Sequence, residues 1–183
     1  MKSLSGKLRY ERMNETTLSL ALELRKKGWP NECVKEDYYY FKAKNFDEVN
    51  QAWLVYHDDD LVGLTGIYTF DEDEKGWDNL ESIWMDWFMV KEEFRRRGFG
   101  RQILLDTIEY CRNLKRFKYF RLDTIFWQGR PALRLYDGIM EFCEKYTAEM
   151  PKNGGYYVVY SYALHGDEIK KWNNQLLELN GSE

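Results

Sequence analysis

The sequence predicts an α/β (α+β) fold in which a mixed, mostly antiparallel central sheet of about six or seven strands is flanked by helices. Strand-like runs of alternating or continuous apolar residues recur along the chain, and one-faced helical runs lie between the later ones. A hairpin leads into a strand–helix–strand–helix–strand series, which requires a parallel crossover within the sheet. The 183 residues suit one compact domain, so we expect a single domain over residues 1–183.

Composition excludes several classes of protein. Hydrophobic residues make up 44% of the chain and aromatic residues 17%, which is enough to build a core and argues against global disorder. No run approaches the ~18 apolar residues of a membrane span, and the first residues lack the apolar core of a secretion signal, so we expect a cytoplasmic protein. Cys33, Cys111 and Cys143 are isolated, and neither His57 nor His165 lies in a ligand-spaced cluster. We therefore expect neither disulfides nor a metal site.

The first elements are a strand over residues 7–12 and a helix over residues 16–27. The leucines of that helix alternate as a strand's would, and only the helix-forming Ala, Glu, Arg and Lys around them favour a helix. Gly28 and Pro30 predict its end. The aromatic stretch within residues 31–50 is compatible with either a helix or a strand.

The middle of the chain gives sharper signals. Asp58, Asp59 and Asp60 separate two strand-like runs and predict a hairpin, and a polar loop follows over residues 71–79. Ser82–Val90 is almost continuously apolar, as expected of a strand buried on both faces. The elements predicted here are strands over residues 52–57, 61–70, 82–90 and 119–127, and a helix over residues 100–114.

The last third begins with Pro131, which is favoured as a first helical residue because its missing amide needs no partner there. Apolar residues then repeat at helical spacing and predict one long helix; they are Ala132, Leu135, Tyr136, Ile139, Met140 and Cys143. A strand over residues 156–164 is expected to pair with residues 146–150 as a hairpin. A polar helix is predicted over residues 167–179.

The most informative motif is VKEEFRRRGFGR at residues 90–101, where a buried strand turns into a helix. Glycines let a ligand approach the backbone, and the free amides and dipole of a helix start attract anions. Residues 95–101, which we call the 95–101 turn, also contain four basic residues: Arg95, Arg96, Arg97 and Arg101. This predicts a phosphate or pyrophosphate site; the alternative is a solvated basic turn. The dinucleotide and phosphate-loop patterns are both absent.

This turn resembles the Gln/Arg-x-x-Gly-x-Gly/Ala signature of the GNAT family of N-acetyltransferases, here Arg95-x-x-Gly98-x-Gly100. The compatible order of elements covers roughly residues 7 to 165. The resemblance implies an acyl-CoA N-acyltransferase fold with splayed fourth and fifth strands, and acetyl-CoA as cosubstrate. A later family pattern, Asn-x-x-Ala-x-x-Leu-Tyr, is matched except at its first position, where this chain has Gly129 and where Gln128 is a possible substitute.

The resemblance also implies roles for individual residues. The pyrophosphate would be held by the 95–101 turn, namely Arg95, Arg96, Arg97, Gly98, Phe99, Gly100 and Arg101. The pantetheine arm would lie along Phe88, Met89 and Val90, pairing with backbone groups of Phe88 and Val90, and would reach Gly129, Ala132 and Tyr136. The Phe88 amide would polarise the thioester carbonyl.

Two side chains are candidates for proton transfer. Tyr136 lies on the apolar face of its predicted helix and is either a core residue or, as the resemblance implies, the acid that protonates the departing thiolate. Asp86 is the only ionisable group in its strand and is a candidate base for the acceptor amine. The alternatives are a carboxylate paired with a residue such as Arg121, or one exposed at a splayed edge. Glu81, Asp123 or a water chain are further candidates for the base.

The function expected from this reasoning is direct transfer of acetyl from acetyl-CoA to a primary amine of a small molecule or a protein, without a metal. Residues 58–81 contain nine acids and one base, and residues 94–134 contain eleven bases and three acids. The acidic segment favours a cationic acceptor unless it is simply solvated. The acceptor pocket is expected in residues 28–50 and 71–80. Nucleic acid and membrane partners are not expected, and aromatics at 156–162 allow a homodimer.

Two other functions remain compatible with the same residues. One is a non-catalytic acyl-CoA sensor or interaction module with the same fold. The other keeps catalysis but uses a longer acyl chain.

Overall fold

The computed structural model describes residues 7–28, 47–69, 81–126, 131–146 and 156–172. These ranges contain seven strands, which we number β1 (Leu8–Arg12), β2 (Gln51–His57), β3 (Asp60–Tyr68), β4 (Ser82–Val90), β5 (Tyr119–Phe126), β6 (Phe142–Tyr146) and β7 (Tyr156–Ala163). They also contain three α-helices, α1 (Leu18–Gly28), α2 (Phe99–Asn113) and α3 (Pro131–Asp137), and a 3-10 turn at Glu92–Phe94.

The strands form one sheet in the order β1-β2-β3-β4-β5-β7-β6. Antiparallel pairing joins β1 to β2 and β2 to β3, and β7 pairs antiparallel with both β5 and β6. The β4–β5 pair is parallel, so the predicted crossover through α2 is confirmed. The amides of Lys118 and Tyr119 begin this pair by donating to the Glu81 carbonyl at 2.9 and 3.0 Å. The predicted mixed, mostly antiparallel sheet with helices is therefore confirmed.

The described residues belong to two compact units. The first contains the described chain up to Tyr68 together with Met85–Thr107, and the second contains the described parts of Thr69–Trp84 and Ile108–Glu183. Strand β4 contributes its first residues to the second unit and the remainder to the first. The assignment of residues 1–183 to a single domain stays a prediction.

In the first unit, β2 and β3 are buried on both faces. One face carries a cluster that includes Leu54, Leu64 and Trp87 and is covered by Ala21 and Leu24 of α1; the other carries a cluster built from Leu8, Val55, Val62, Phe94, Phe99 and Ile103. Adjacent residues such as Leu54 and Val55 enter opposite clusters because successive side chains of a strand point to opposite faces. Helix packing on both faces thus fixes the position of β4.

In the second unit, two fully buried tryptophans pack edge to face. The ring centroids of Trp84 in β4 and Trp172 lie 5.5 Å apart. Cys111 is buried on α2, as its helical spacing predicts, and that burial raises the pKa of its thiol. Trp172, in the C-terminal segment, is therefore part of the hydrophobic core of this unit.

The predicted long helix after Pro131 is wrong beyond Asp137. Helix α3 ends there, and the amides of Ile139 and Met140 both close onto the Tyr136 carbonyl, at 3.0 and 2.8 Å. Gly138 follows the last helical residue, and glycine is a weak helix former. The apolar spacing nevertheless continues past this glycine, so periodicity alone overestimates the helix.

The residues after α3 form β6, which corrects the prediction for Cys143. Cys143 is exposed on that strand, opposite Tyr160 of β7, and not on a helical core face. Strand β6 pairs with β7, and Tyr146, the described residue of the predicted partner over residues 146–150, lies opposite Tyr157; residues 147–150 lie outside the described residues.

The predicted helix over residues 167–179 is wrong in the part that the structure describes. Residues 167–172 form no helix, and the remainder lies outside the described ranges. Buried Trp172 instead donates its amide to Glu144 Oε2 at 2.8 Å.

No helix within the described ranges is long and apolar enough to cross a membrane.

Candidate active site

The end of β4 presents alternate backbone groups away from β3. The Lys91 amide donates to the Val62 carbonyl of β3 at 2.9 Å. Because successive amides of a strand point to opposite sides, the amides of Val90 and Phe88 point away from β3. Gly63 lets β3 come this close, because a Cβ there would lie 2.1 Å from the Met89 carbonyl oxygen. The edge that the resemblance assigns to pantetheine is therefore the edge turned away from β3.

A left-handed residue interrupts β4 just before this edge. Trp87 has φ +57°, which is rare for a bulky residue and costs roughly 1–2 kcal/mol. Its side chain is fully buried in the cluster under α1, and its amide donates to Asp86 Oδ1 at 2.6 Å. The left-handed conformation of Trp87 changes the direction of the next amide, that of Phe88. Backbone strain of this kind is concentrated at functional sites.

Asp86 is neither unpaired nor deeply buried, which corrects the premise on which its role as base rests. Its side chain is 37% exposed, and its Oδ1 lies 3.4 Å from Nη2 of Arg25 in α1. The pairing with Arg121 named as an alternative is wrong, because Arg121 pairs with Glu144 at 3.8 Å. Its role as the base stays a prediction.

The 95–101 turn connects β4 to α2 through two left-handed residues. Arg96 has φ +60° and Gly98 has φ +95°, and the Gly98 carbonyl accepts the first helical hydrogen bond, from the Gln102 amide at 3.1 Å. Arg95 folds back, donating its Nε to the Val90 carbonyl at 3.0 Å. A carbonyl has two lone pairs, so this bond leaves Val90 one acceptor position for a ligand.

The start of α2 is uncapped within the described residues. No described side chain accepts a hydrogen bond from the amides of residues 98–101, and the first turn contains no acidic residue. None of the four arginines of the turn pairs with a carboxylate of the described chain, and all four are exposed. Amides and guanidinium groups of this kind, with the positive end of the helix dipole, are suited to an anion.

Aromatic side chains pack against one another and against Arg97 at the 95–101 turn. Phe99 is fully buried, with its ring 5.0 Å from that of His57 and 5.9 Å from that of Phe94. The Arg97 guanidinium lies 5.2 Å from the Phe94 ring centroid and 5.3 Å from that of Phe99. Phe99 therefore offers a ligand only its backbone, and its side chain is part of the core.

The other predicted site residues belong to the second unit. Tyr136 on α3 is buried, and its ring centroid lies 5.4 Å from that of Tyr160. Ala132 is half-buried on the same helix, and Gly129 and Gln128 lie outside the described residues. Most of the segments predicted to form the acceptor pocket, residues 29–46 and 71–80, also lie outside them.

The two alternative bases differ in their surroundings. The Lys118 ammonium hydrogen-bonds Glu81 and lowers the pKa of that carboxyl, with a second ion pair from Lys170 at 3.3 Å. A lowered pKa makes Glu81 a weaker proton acceptor. Asp123 is half-buried on β5, opposite Val159 of β7. Within the described chain no group of three or more His, Cys, Asp or Glu side chains is placed to hold a metal ion.

The sequence profile of the Acetyltransferase (GNAT) family matches residues 18–142, well over half of the chain. This chain belongs to the GNAT family. The resemblance drawn from the 95–101 turn is thus confirmed. The match includes the strand, the turn and the helix start described above, as well as Tyr136.

Named relatives of this GNAT chain act on polyamines. The spermine/spermidine N(1)-acetyltransferase of Bacillus subtilis is 30% identical over 103 residues, which cover 55% of this chain and 62% of the relative. The alignment thus spans less than two thirds of that enzyme's length.

Solved structures share the fold at lower identity. An acetyltransferase of the GNAT family from Desulfovibrio desulfuricans superposes with a TM-score of 0.68 at 13% identity, covering 86% of this chain and 99% of the other. The spermidine N-acetyltransferase of Vibrio cholerae, solved with CoA and spermine, gives 0.64 at 13% identity, covering 86% and 95%. These likenesses establish the fold of the GNAT chain.

Sequence reasoning missed Arg25. It follows Ala21 by four residues and lies beside Leu24, so it shares the buried face of α1, and its side chain is only 7% exposed. A charged residue at a core position of a helix is a detectable signal, because an arginine is almost never buried without a partner. The partner, Asp86, is distant in sequence and could not be paired with it without the fold.

Proposed function

We propose that this chain is an N-acetyltransferase that transfers the acetyl group of acetyl-CoA directly to a primary amine of a small molecule or protein. The observation that carries the proposal is the 95–101 turn. Its helix-start amides have no acceptor, and its arginines no carboxylate partner, among the described residues. The family profile supports the same reaction class.

The turn fits a diphosphate for electrostatic and geometric reasons. A helix N-terminus carries roughly half a positive charge, and its free amides bind phosphate oxygens directly. Arginine adds planar, bidentate hydrogen bonding to phosphate that lysine does not offer. In this proposal Arg95, Arg96, Arg97 and Arg101 surround the diphosphate, while the backbone of Gly98, Phe99 and Gly100 contacts its oxygens. The pantetheine arm follows Phe88, Met89 and Val90, and reaches Gly129 and Ala132.

Three groups of the chain then act on the reacting atoms. The Phe88 amide donates to the thioester oxygen as negative charge develops there, a type of contact that contributes about 10²–10³-fold in rate. Asp86, directly or through a water, accepts the proton of the acceptor ammonium so that its nitrogen can attack the carbonyl. As the carbon–sulfur bond breaks, Tyr136 gives its phenolic proton to the thiolate, and the second proton lost by the acylated nitrogen, directly or through water, restores the phenol. Holding both substrates together supplies much of the remaining acceleration.

A cationic amine is the proposed acceptor, with spermidine and spermine as the first compounds to test. The supporting observation is the similarity to the spermine/spermidine N(1)-acetyltransferase of Bacillus subtilis, together with the acidic residues at 58–81. Asp58, Asp59 and Asp60 are exposed at the β2–β3 turn, where they add negative potential to the surface.

The test is release of free CoA thiol from acetyl-CoA over a panel of polyamines, aminoglycosides, amino acids and peptide amines. We expect turnover with at least one cationic amine, and mass spectrometry of the product should show a single added acetyl group. Binding of acetyl-CoA without turnover across the panel would favour the sensor instead. Preference for a longer acyl thioester in the same assay would replace acetyl by that acyl group.

The variant Tyr136→Phe tests the acid. It should lower kcat while the affinity for acetyl-CoA in calorimetry stays unchanged, because only the proton donor is removed. Leu135→Ala, a change in a half-buried neighbour on the same helix, is the matched control. An unchanged kcat in Tyr136→Phe would remove the acid assignment.

A further inference from the structure

The left-handed residue Trp87 and the Asp86 carboxylate both contact the guanidinium of Arg25. Its Nη2 lies 3.4 Å from Asp86 Oδ1, and its guanidinium carbon lies 5.3 Å from the centroid of the Trp87 ring. The first contact is an ion pair, and the second is within the ~6 Å range of a cation–π interaction. One side chain of α1 therefore contacts two consecutive residues of β4.

These contacts act on a strained part of the backbone. The left-handed φ of Trp87 is held by the hydrogen bond from its amide to Asp86 Oδ1 and by the complete burial of its indole. Arg25, which belongs to α1, contacts both the Asp86 carboxylate and the Trp87 indole and so restrains them. Strained conformations persist only where their surroundings hold them in several ways at once.

The two oxygens of Asp86 consequently have different surroundings. Oδ1 accepts the Trp87 amide and is the oxygen nearest to Arg25, and no described residue donates a hydrogen bond to Oδ2. The side chain is 37% exposed, so water and substrate can reach it. An oriented carboxylate with one oxygen engaged is suited to accept a proton on the other.

We propose that Arg25 is a positioning residue for acetyl transfer: it fixes Asp86 through Oδ1 and holds the left-handed Trp87, so that Asp86 Oδ2 and the Phe88 amide keep their orientation toward the reacting groups. The inference rests on the proposed function, since it assigns what orients the base and the carbonyl-polarising amide. Arg25 itself contacts neither substrate.

The kinetic test compares Arg25→Met, which removes the charge, with Arg25→Lys, which keeps it. Arg25→Met should lower kcat by about 100-fold, the size expected when reacting groups are misplaced by about 1 Å, while the calorimetric affinity for acetyl-CoA stays unchanged. Arg25→Lys should recover part of the loss. Lys27→Met is the matched control, because Lys27 is exposed on the same helix and pairs only with Glu23 among the described residues.

A double-mutant cycle separates positioning from a general structural effect. If Arg25 acts through Asp86, adding Arg25→Met to Asp86→Asn should cost much less than the ~100-fold that it costs in the native background. Equal losses in the two backgrounds, or an equal loss in Lys27→Met, would overturn the positioning role.

A second measurement does not depend on turnover. In ¹⁵N–¹H spectra of the full chain without substrate, the Trp87 and Phe88 amide resonances should shift in Arg25→Met, shift less in Arg25→Lys and stay in place in Lys27→Met. Unchanged resonances in Arg25→Met would overturn the inference. If the native protein acetylated no amine, the proposed function would fail, while these spectra would still decide whether Arg25 holds the left-handed conformation of Trp87.

Discussion

Arg121 and the arginines of the 95–101 turn carry the same guanidinium group in opposite settings. Arg121 is fully buried and donates to Ser82 Oγ at 2.9 Å, to Ser161 Oγ at 2.5 Å and to the Lys170 carbonyl at 2.8 Å. Glu144 balances its charge at 3.8 Å. Since the protein itself surrounds this guanidinium with partners, its role is structural.

The arginines of the 95–101 turn are exposed, and among the described residues they have no carboxylate partner. The amides beside them are equally without a described acceptor. The number of basic residues therefore does not identify an anion site. What identifies it is positive charge that the fold leaves uncompensated next to backbone donors.

The largest effect is expected from Arg121→Met. It removes the guanidinium from the buried ion pair with Glu144, and breaking a buried ion pair costs about 3–5 kcal/mol in the free energy of unfolding. Urea denaturation should show the loss, and Arg134→Met, on the exposed side of α3, should show almost none. Equal midpoints for the two variants would contradict the structural role of Arg121.

A medium effect is expected from Gly98→Ala, because Gly98 has φ +95° and a left-handed alanine costs about 1–2 kcal/mol. The variant should also weaken acetyl-CoA binding, since the strain can be relieved only by moving the start of α2. Gly166, with φ +81° and no atom within 4 Å of an added Cβ, provides the matched control.

Gly166→Ala should lower stability to a similar extent and leave the affinity for acetyl-CoA unchanged. Equal losses of affinity in both glycine variants would mean that Gly98 matters only for folding.

The smallest effect is expected from Glu81→Gln. Lys118 lowers the pKa of Glu81 in the folded protein, so the ionised carboxylate stabilises the fold above the unfolded-state pKa, and this contribution is lost as pH falls through the lowered one. Glu81→Gln should therefore lower the melting temperature slightly at pH 7, and the difference from the native protein should vanish at acid pH. A difference that grows on acidification would contradict the assignment. The pair is exposed to solvent, so the effect is small.

The sequence predicts the elements of this fold that are marked by a pattern of neighbouring residues. Ser82–Val90 is identified from its continuous apolar run, and α2 from its periodicity after the glycine turn. The end of α3 is mispredicted, because the apolar spacing continues beyond Asp137, where the helix ends. Local periodicity therefore gives the type of an element better than its length.

In the candidate site, too, the residues that are contiguous in sequence are predictable, and those that are brought together by the fold are not. The 95–101 turn is contiguous, so its residues could be identified together before the fold was known. The Arg25–Asp86 pair joins α1 to β4 and depends on how that helix packs on the sheet. The left-handed φ of Trp87 has no local sequence signal, since a buried tryptophan normally favours ordinary strand geometry.

The proposed function depends above all on binding of the acetyl-CoA diphosphate by the 95–101 turn. The most direct test is calorimetric titration of the native protein with acetyl-CoA and with S-acetylpantetheine, which lacks the diphosphate, and a repeat of both with Arg95→Ala/Arg97→Ala. We predict that native protein binds acetyl-CoA far more tightly than S-acetylpantetheine and that the double variant loses most of this difference while its urea midpoint stays near the native value. Equal affinity of the native protein for both compounds, or an undiminished difference in the variant, would contradict the claim.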